Sequence, residues 1–389
     1  MIPRQAAETI RRLSKGFPVV AITGPRQSGK TTLARHAFPG KPYVSLEYPD
    51  TRDFAQSDPR AFLEGYLDGA VLDEVQRCPE LFSYLQGTVD EDGRMGLFVL
   101  TGSQQFDLRA GITQSLAGRV GMVQLLPFSQ GELAAAGIAP DDPETAIYNG
   151  CYPPIYDREI APLDWQAGYV ATYLERDLHQ LIQVRDLKAF QLFVRMCAAR
   201  TGQLLNLSSL AADCGITHNT ARAWLSVLEA SYLVFLLPPH FRNFNKRLTK
   251  TPKLYFYDTG LACWLLGIRD KKQLTTHAMR GALFETWVIA ELVKGRFNRG
   301  LPSNLFFWRD STGNEIDVLA DQGDCLAPIE VKAGKTIAAD YFAGLRRWRT
   351  LAGTAAGKAA LVYAGKEQQR RDDVNVISWR KIAELAATL

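Results

Sequence analysis

The most constraining feature of the sequence is an apolar run that ends in a glycine-rich turn and leads into a helical stretch. The run FPVVAITG continues as GPRQSGKT over residues 24–31, and TTLARHAF follows. This spacing matches G-x-x-x-x-G-K-[ST], and a strand before the turn and a helix after it are the context that the motif requires. Backbone N–H groups and a helix N-terminus then favour bound phosphate. The sequence therefore predicts a phosphate-binding loop; a chance glycine-rich turn is the alternative.

The residue types of this loop predict ATP and Mg²⁺ as cofactors. Lys30 would reach the outer phosphates, which makes it a predicted catalytic residue, and the Thr31 hydroxyl would ligate Mg²⁺. The predicted nucleotide-binding residues are the loop, the start of the next helix and one later serine: Gly24, Pro25, Arg26, Gln27, Ser28, Gly29, Lys30, Thr31, Thr32 and Ser103.

Further apolar runs without polar alternation recur at spacings that leave room for helices. They are GAVLDEV, GLFVLTGS and VGMVQLLPF, and the weaker run YVSLEYP adds a fifth strand. Runs rich in Val, Ile and Leu are typical of strands buried on both faces, as in a parallel sheet covered by helices. Residues 1–140 are therefore predicted to form an α/β domain with the parallel sheet of a P-loop NTPase.

Polar residues end two of these runs. Asp73 and Glu74 end VLDE, and Ser103 ends LTGS. A carboxylate at the tip of a parallel strand can hold the metal, and a second one can polarise the attacking water. We assign metal coordination to Asp73, together with Thr31, and the general base to Glu74, with Ser103 placed to sense the γ-phosphate. An acidic helix cap and an ordinary turn are the alternatives.

An arginine downstream could act on a neighbouring subunit's nucleotide. In SLAGRVGMV, Arg119 is the first choice for a trans-acting finger that stabilises transition-state charge, Arg109 is the second, and a solvated arginine is the alternative. With the strand-tip residues above, residues 1–135 resemble the AAA+ branch of P-loop ATPases. The phrases LTGS and SLAGR resemble, more narrowly, a prokaryotic AAA-type ATPase family with a C-terminal domain of unassigned role. The resemblance implies a nucleoside triphosphatase that forms a homo-oligomer.

Composition narrows the class of protein. At roughly 100–200 residues per domain, 389 residues predict two or three domains, and the 47% apolar and 22% charged residues are those of a globular protein. A net charge of only +4 restricts any nucleic-acid surface to a local patch. The six cysteines include no close pair, which excludes a CxxC motif and fits a reducing compartment. No run approaches the roughly 20 apolar residues that cross a bilayer. We expect a cytoplasmic protein with no membrane partner.

Residues 141–277 are predicted to form a helical and winged-helix domain. In LNLSSLAADCGITHNTARAWLSVLEASYLV, a first helix stops at Gly215 and Thr217 caps a second one, as in a helix-turn-helix. The outward residues of the second helix and the basic run FRNFNKRLTKTPK that follows would contact DNA. The predicted DNA-binding residues are His218, Asn219, Arg222, Lys246, Arg247 and Lys250, and Arg242 and Lys253 belong to the same basic run. A packing module inside the protein is the alternative.

Residues 278–389 are predicted to form a third domain in the order α–β–β–β–α–β. Its strand runs NEIDVLAD and LAPIEVKAG place Asp317 on one strand and Glu330 and Lys332 on the next, where alternation puts the last two on one face. Two carboxylates can hold Mg²⁺, and a lysine can activate the attacking water. The later Gly334-Lys335-Thr336 is no phosphate loop, because Ile329 stands where the first glycine of that motif must be.

This layout resembles the PD-(D/E)xK nuclease superfamily over residues 278–366, with Glu285 on the preceding helix completing the metal shell. The resemblance implies a restriction-endonuclease-like fold in which Asp317, Glu330 and Lys332 are catalytic and Glu285, Asp317 and Glu330 hold the metal. Ile316 precedes Asp317 where the family name has Pro. Exposed strand residues that happen to be Asp, Glu and Lys are the alternative.

Together these features predict an ATP-hydrolysing AAA-type protein that acts on DNA, with a Mg²⁺-dependent nuclease site in the C-terminal domain. The competing hypothesis is a nucleotide-controlled switch or scaffold with protein partners. In that case Glu330 and Lys332 form a structural ion pair and the nuclease-like fold is inactive.

Overall fold

The computed structural model describes residues 2–103, 112, 115–177, 186–241 and 249–389, with the backbone alone at 175–177. The chain forms two compact units. Unit 1 comprises Met1–Phe128, Ala230–Tyr232 and Phe297–Leu301, and unit 2 comprises Ser129–Glu229, Leu233–Arg296 and Pro302–Leu389. Unit 2 thus contains most of both the middle and the C-terminal predicted domains, and the predicted boundaries after residues 140 and 277 stay a prediction.

Unit 1 is an α/β unit built on five short strands. The strands are β1 (Val19–Thr23), β2 (Tyr43–Ser45), β3 (Val71–Asp73), β4 (Phe98–Gly102) and β5 (Val120–Gln124). The helices are α1 (Ala6–Leu13), α2 (Lys30–Ala37), α3 (Pro49–Ser57), α4 (Pro59–Glu64) and α5 (Leu81–Asp92), with a helical turn at Val75–Arg77.

The five strands form one parallel sheet in the order β2-β3-β4-β1-β5, which confirms the predicted parallel sheet. All five residues of the central strand β1 are buried, as expected for a strand covered by helices on both faces. Because every strand runs the same way, the carboxyl ends of β1, β3 and β4 lie at one edge. Gly24, Asp73 and Ser103 follow or end these three strands.

Unit 2 combines a helical part with two sheets. Its helices are α6 (Gln130–Ala135), α7 (Pro143–Asn149), α8 (Pro153–Asp157), α9 (Pro162–Tyr169), α10 (Leu187–Ala198), α11 (Leu207–Asp213), α12 (His218–Ala230), α13 (Thr259–Leu265), α14 (Arg280–Asn298), α15 (Ala343–Ala352) and α16 (Ile382–Thr388). A π-helical segment spans Val170–Asp177, and helical turns span Lys271–Thr275, Ala339–Phe342, Gly353–Ala355 and Trp379–Lys381. Among the described residues, no helix is long and apolar enough to span a membrane.

The strands of unit 2 form a small antiparallel sheet and a larger mixed sheet. They are β6 (Gln203–Leu204), β7 (Val234–Leu237), β8 (Lys253–Phe256), β9 (Leu305–Arg309), β10 (Glu315–Asp321), β11 (Leu326–Lys332), β12 (Ala359–Tyr363), β13 (Gln369–Arg371) and β14 (Val374–Ser378). The small sheet has the order β6-β8-β7, and the large one has the order β13-β14-β12-β11-β10-β9. The large sheet is mixed because β12 runs parallel to β11 and β14 while β10 runs antiparallel to its neighbours.

The helix-turn-helix pattern gives the predicted local structure. Gly215 has a positive φ of 66° after α11, and the Thr217 hydroxyl accepts a hydrogen bond from Thr220 N at 3.1 Å at the start of α12. Residues of α12 at helical spacing form a buried stripe: Ala221, Trp224, Leu225 and Leu228. The winged-helix and nuclease-like assignments themselves stay predictions.

Candidate functional site

The loop after β1 depends on two glycines. Gly24 has a φ of +152°, and a Cβ built there would lie 2.1 Å from the Leu125 carbonyl oxygen, so no other residue fits. Gly29 has a φ of +91° and directly precedes α2. The loop therefore turns sharply at both ends and leads its backbone to the N-terminus of a helix, which is the geometry of an anion-binding loop.

Lys30, the first residue of α2, lies inside this loop. Its side chain is buried, and Nζ donates hydrogen bonds to the carbonyl oxygens of Gly24 at 3.1 Å and Pro25 at 2.8 Å. Burial lowers the pKa of Lys30 from its ordinary value of 10.5 to about 8, although nearby Glu74 and Asp73 act in the opposite direction. A bound anion would further stabilise the charged form of this buried ammonium, which otherwise contacts only carbonyl oxygens.

The Asp73 carboxylate, at the end of β3, is fixed by three hydroxyl groups. Thr31 donates to it at 3.0 Å, Tyr43 donates at 2.6 Å, and Thr101 donates at short range. The predicted metal ligands Thr31 and Asp73 are thus brought together. A hydroxyl and a carboxylate are oxygen donors of the kind that Mg²⁺ prefers, so this pair fits the predicted metal.

Glu74 follows directly, with its backbone in the left-handed region at φ 55°. Its Oε2 accepts hydrogen bonds from the Gln76 side-chain amide at short range and from the Ser103 hydroxyl at 3.0 Å. A non-glycine residue with positive φ is uncommon and costs backbone strain, which indicates that the surroundings hold this side chain in place. The structure therefore brings the predicted base and the predicted sensor together at the carboxyl edge of the sheet.

The remaining predicted nucleotide-binding residues are split between the interior and the surface. Pro25 and Ser28 are buried, and Ser28 Oγ has no hydrogen-bond partner among the described residues. Arg26 is half-buried and lies 3.9 Å from Glu47, whereas Gln27 and Thr32 are exposed. A buried polar atom without a partner in a loop of this shape fits an oxygen-rich ligand.

Arg119 lies away from this site within its own chain. It directly precedes β5, so it is at the amino edge of the sheet, about 15 Å from the loop by the length of five strand residues. Its guanidinium forms a bidentate pair with Asp90, at 2.5 and 2.8 Å. Arg119 is therefore too far from the phosphate loop of its own chain to act on a nucleotide bound there. A role at the nucleotide of a neighbouring subunit stays a prediction. The second choice, Arg109, is outside the described residues.

Tyr232 is a residue of unit 1 that the sequence analysis missed. It has a positive φ of 57° and is buried, and its hydroxyl lies 2.7 Å from the Thr23 hydroxyl, immediately before Gly24. A tyrosine in SYLV gives no sequence signal for this contact, because the two residues are 209 positions apart. Tyr232 is thus a support of the strand end from which the phosphate loop starts.

The predicted DNA-binding residues have mixed placements. His218, Asn219 and Arg222 are exposed on the first turns of α12, and Lys250 is exposed after it. Lys246 and Arg247, like Arg242, are outside the described residues. Lys253, which the basic run placed on the same surface, is instead only 4% exposed. That expectation was wrong, because Lys253 opens strand β8 and points at two carboxylates.

Those carboxylates belong to a cluster of alternating charges in unit 2, which we call the carboxylate cluster: Lys253, Tyr255, Glu285, Arg309, Glu315, Asp317, Glu330 and Lys332. Lys253 Nζ lies 3.4 Å from Glu285 Oε1 and contacts Glu315 Oε1 at short range. Lys332 Nζ lies 2.7 Å from Glu330 and 3.6 Å from Asp317. All four predicted nuclease residues therefore lie in one cluster, each in contact with a charge of opposite sign.

Neighbouring groups hold the cluster in place. Asp317 Oδ2 accepts a hydrogen bond from Val331 N at 2.8 Å, and Tyr255 donates to Glu285 at 2.5 Å. Arg309 Nη1 lies 3.4 Å from Glu315. The fixed positions follow from the sheet: the antiparallel register of β10 and β11 pairs Val318 with Ile329, which brings the neighbouring Asp317 and Glu330 opposite each other.

The cluster carries a surplus of negative charge in a buried place. Burial, reinforced by the Asp317 carboxylate, raises the pKa of Glu285 to about 7 and the pKa of Glu330 to about 8. Burial opposes the charge of Lys332, but Asp317 and Glu330 hold its pKa above the ordinary value. Burial is thus the main cause for the two glutamates, whereas the neighbouring carboxylates outweigh burial for Lys332.

The predicted metal ligands of this cluster do not fit a divalent cation as they stand. Among the residues that the structure describes, no group of three His, Cys, Asp or Glu side chains is placed to hold a metal ion. Lysine nitrogens occupy the space next to Glu285, Asp317 and Glu330. The arrangement is that of an ion-paired network, and metal-dependent chemistry at these residues stays a prediction.

Three family models match the chain. Residues 16–134 match an AAA domain, residues 140–272 match a domain of unknown function (DUF8612), and residues 280–382 match another domain of unknown function (DUF4143). The AAA match covers the sheet and the loop described above. Unit 1 therefore contains an AAA-type P-loop ATPase domain.

Two curated relatives match over most of the chain. Uncharacterized proteins of Mycobacterium tuberculosis and Mycobacterium bovis are each 32% identical over 336 residues, which is 86% of this chain and 74% of theirs. Among solved structures, a Walker-type ATPase of Pyrococcus abyssi has a TM-score of 0.47 at 15% identity, covering 68% of this chain and 96% of its own. AMPPCP-bound DnaA from Aquifex aeolicus has a TM-score of 0.29 at 15% identity, covering 58% and 85%.

Proposed function

The chain belongs to the protein family represented by its two mycobacterial relatives, and we propose that it is a Mg²⁺-dependent ATPase that acts on DNA. One observation carries the hydrolytic part: Lys30, the Thr31–Asp73 pair and Glu74 converge at the carboxyl edge of the parallel sheet. An AAA domain match over the same residues supports it.

Each of these residues has a distinct role in the proposed reaction. Lys30 would exchange the loop carbonyls for phosphate oxygens, because an ammonium gains more from an anion than from neutral carbonyls. Thr31 and Asp73 would hold Mg²⁺, which supplies positive charge to the phosphates when bound. Glu74 would accept a proton from the attacking water, and Ser103 would keep that carboxylate oriented.

Substitution of Lys30 by Ala tests the proposal directly. We expect ATP hydrolysis to fall by at least about 10³-fold, because no other described side chain of the loop brings positive charge inside it. The chain offers a matched control in Lys335→Ala, because Lys335 is in the same tripeptide, Gly-Lys-Thr, but is exposed and paired with Glu144 at 3.2 Å. Normal turnover by K30A, or an equal loss in K335A, would contradict the assignment.

DNA as the target is supported by the exposed polar face of α12. His218, Asn219 and Arg222 occupy the first turns of that helix, where base edges and phosphates are contacted in helix-turn-helix proteins. We expect duplex DNA to bind with an affinity that falls steeply with salt, and the triple variant H218A/N219A/R222A to bind roughly tenfold more weakly or worse. Fluorescence anisotropy measures both, and K272A, which removes an exposed lysine elsewhere in unit 2, is the control.

A second function is favoured by the ion pairs of the carboxylate cluster. If Glu330 and Lys332 have a structural role, the protein is a nucleotide-controlled switch or scaffold and its nuclease-like part cuts no DNA. Salt-insensitive or absent DNA binding, together with intact ATP hydrolysis, would favour this switch over the first proposal. DNA nicking by wild type with Mg²⁺ or Mn²⁺, lost in D317A, would exclude it and support a nuclease.

A further inference from the structure

Lys253 has an unusual position for a residue from a basic loop. It opens β8, its side chain is 5% exposed, and its neighbour Lys250 is exposed as expected for such a run. Tyr255, two residues further on the same face of β8, also points at Glu285. The strand therefore directs two hydrogen-bond donors at one carboxylate.

The ammonium of Lys253 is enclosed on three sides. Glu285 Oε1 is 3.4 Å away on α14, Glu315 Oε1 is in contact at the start of β10, and the Phe307 ring centroid lies 5.5 Å from Nζ. An ammonium has three donors and no acceptor, and it is attracted to the face of an aromatic ring. Two carboxylates and one aromatic face therefore surround this cation.

Carboxylates are also the side chains that divalent cations prefer. Glu285, Glu315, Asp317 and Glu330 supply the hard oxygen donors that Mg²⁺ requires at about 2.1 Å in near-octahedral geometry. Each of the four is already contacted by a lysine nitrogen, Glu285 and Glu315 by Lys253, and Asp317 and Glu330 by Lys332. A divalent cation that shared these oxygens would be held close to two positive charges.

We propose that Lys253 is the built-in cation of the carboxylate cluster and that it excludes divalent metal ions from Glu285 and Glu315. The nearby Lys332 likewise excludes metal ions from Asp317 and Glu330. Its side chain is 32% exposed, so it is held less firmly than Lys253. Lys253 is therefore the more important lysine for metal exclusion. It lies on β8, whereas the carboxylates lie on α14, β10 and β11. This inference does not depend on ATP hydrolysis or on DNA binding.

The test measures Mn²⁺ binding to the full-length protein without nucleotide, by titration with electron paramagnetic resonance of the free ion. We expect Lys253→Met to acquire one Mn²⁺ site per chain, and wild type to bind Mn²⁺ at the cluster at least tenfold more weakly than this variant. The double variant K253M/E285Q should lose the acquired site. Lys294→Met is the matched control, because Lys294 is equally buried and pairs with Glu291 at 2.7 Å in the same unit; it should acquire no site.

Two results would overturn the proposal. One is Mn²⁺ binding by wild type that disappears in E285Q, which would show that metal and Lys253 are compatible. The other is folded K253M, verified by circular dichroism, that binds no more Mn²⁺ than wild type. If K253M folds only when Mn²⁺ is present, the metal has replaced the lysine and the proposal stands; if it does not fold at all, the wild-type and E285Q titrations decide.

Discussion

In the phosphate-loop site, Asp73 and Glu74 accept hydrogen bonds from hydroxyl and amide groups, whereas in the carboxylate cluster four carboxylates contact lysine ammonium groups. Neutral donors fix the position of a carboxylate without neutralising it, so its negative charge can still bind a cation or accept a proton. A lysine fixes the position and neutralises the charge at once. The first arrangement is suited to a cation and a reaction, and the second is suited to stability.

The two sites should differ most in their effect on ATP hydrolysis, which the variant Glu74→Gln tests. Its neutral partners can bond an amide as well as a carboxylate, so we expect little change in folding but a fall in kcat of roughly 10²-fold or more, with ATP still bound. Steady-state ATPase assays and nucleotide titrations measure the two quantities. Glu80→Gln, at an exposed position nearby, is the control; a kcat for E74Q equal to wild type would remove Glu74 from the reaction.

The carboxylate cluster should respond in stability instead. Lys332→Met leaves Glu330 and Asp317 buried without their shared cation, and we expect the free energy of unfolding to fall by roughly 2 kcal/mol, less than for a fully buried pair because Lys332 is 32% exposed. Urea denaturation of the nucleotide-free protein measures this. ATP hydrolysis should stay within twofold of wild type. An unchanged urea midpoint would mean that the ion pairs of the cluster contribute nothing measurable.

The two sites also differ in how they bind protons. Folding lowers the pKa of Lys30 to about 8, so at pH 9 most free protein has a neutral Lys30, and bound triphosphate would restore its charge. ATP binding at pH 9 should therefore take up close to one proton, and binding at pH 6.5 should take up almost none at this group. Calorimetry in buffers of different ionisation enthalpy measures the uptake.

The sign of this effect follows from the direction of the shift. A lysine with a folded pKa below its unfolded pKa costs stability while it is charged, and that cost is relieved as pH rises from about 8 towards 10.5. ATP reverses the preference, so the stabilisation by ATP should be independent of pH at this group below about pH 8 and should fall as pH rises above it. Equal proton uptake at pH 6.5 and 9 would contradict the assignment to Lys30.

The smallest expected effect concerns Tyr232. Replacing it by Phe removes the hydroxyl that bonds Thr23 while keeping the buried ring, and we expect unfolding free energy to fall by about 1 kcal/mol and ATP affinity to weaken only slightly. Tyr257→Phe, in unit 2, is the comparison. A large loss of ATP affinity in Y232F, without a loss of stability, would mean that Tyr232 acts on the loop itself.

Local patterns predicted the elements of unit 1 well. The five apolar runs became the five parallel strands, and β1, β3 and β4 are buried throughout, because strands buried on both faces need continuous apolar sequence. The strand-tip residues Asp73 and Ser103 could be placed at one edge from the parallel order alone. Tyr232 could not, since its contact with Thr23 joins residues far apart in the chain and depends on how α12 ends.

The sequence was less informative in unit 2. Strand β13 was missed because QRR is polar and the preceding residues KEQ give no apolar signal, whereas β14 was missed although VNVIS is mostly apolar. Lys253 was assigned to an exposed basic run because its neighbours are basic. Lys253 is buried because carboxylates on α14 and β10 contact it. Those residues are distant in the sequence, so a local pattern could not predict the contact.

By itself, the sequence determined the phosphate loop, its strand and its helix, because a glycine-rich turn between a buried strand and a helix constrains the backbone within about ten residues. It also determined that Glu330 and Lys332 share a face, since alternation along a strand is local. Only the tertiary structure decided which cation Glu285 and Glu315 meet. Burial makes an unpaired charge costly, and the residue that compensates it comes from whichever strand packs against the cluster, here β8 with Lys253.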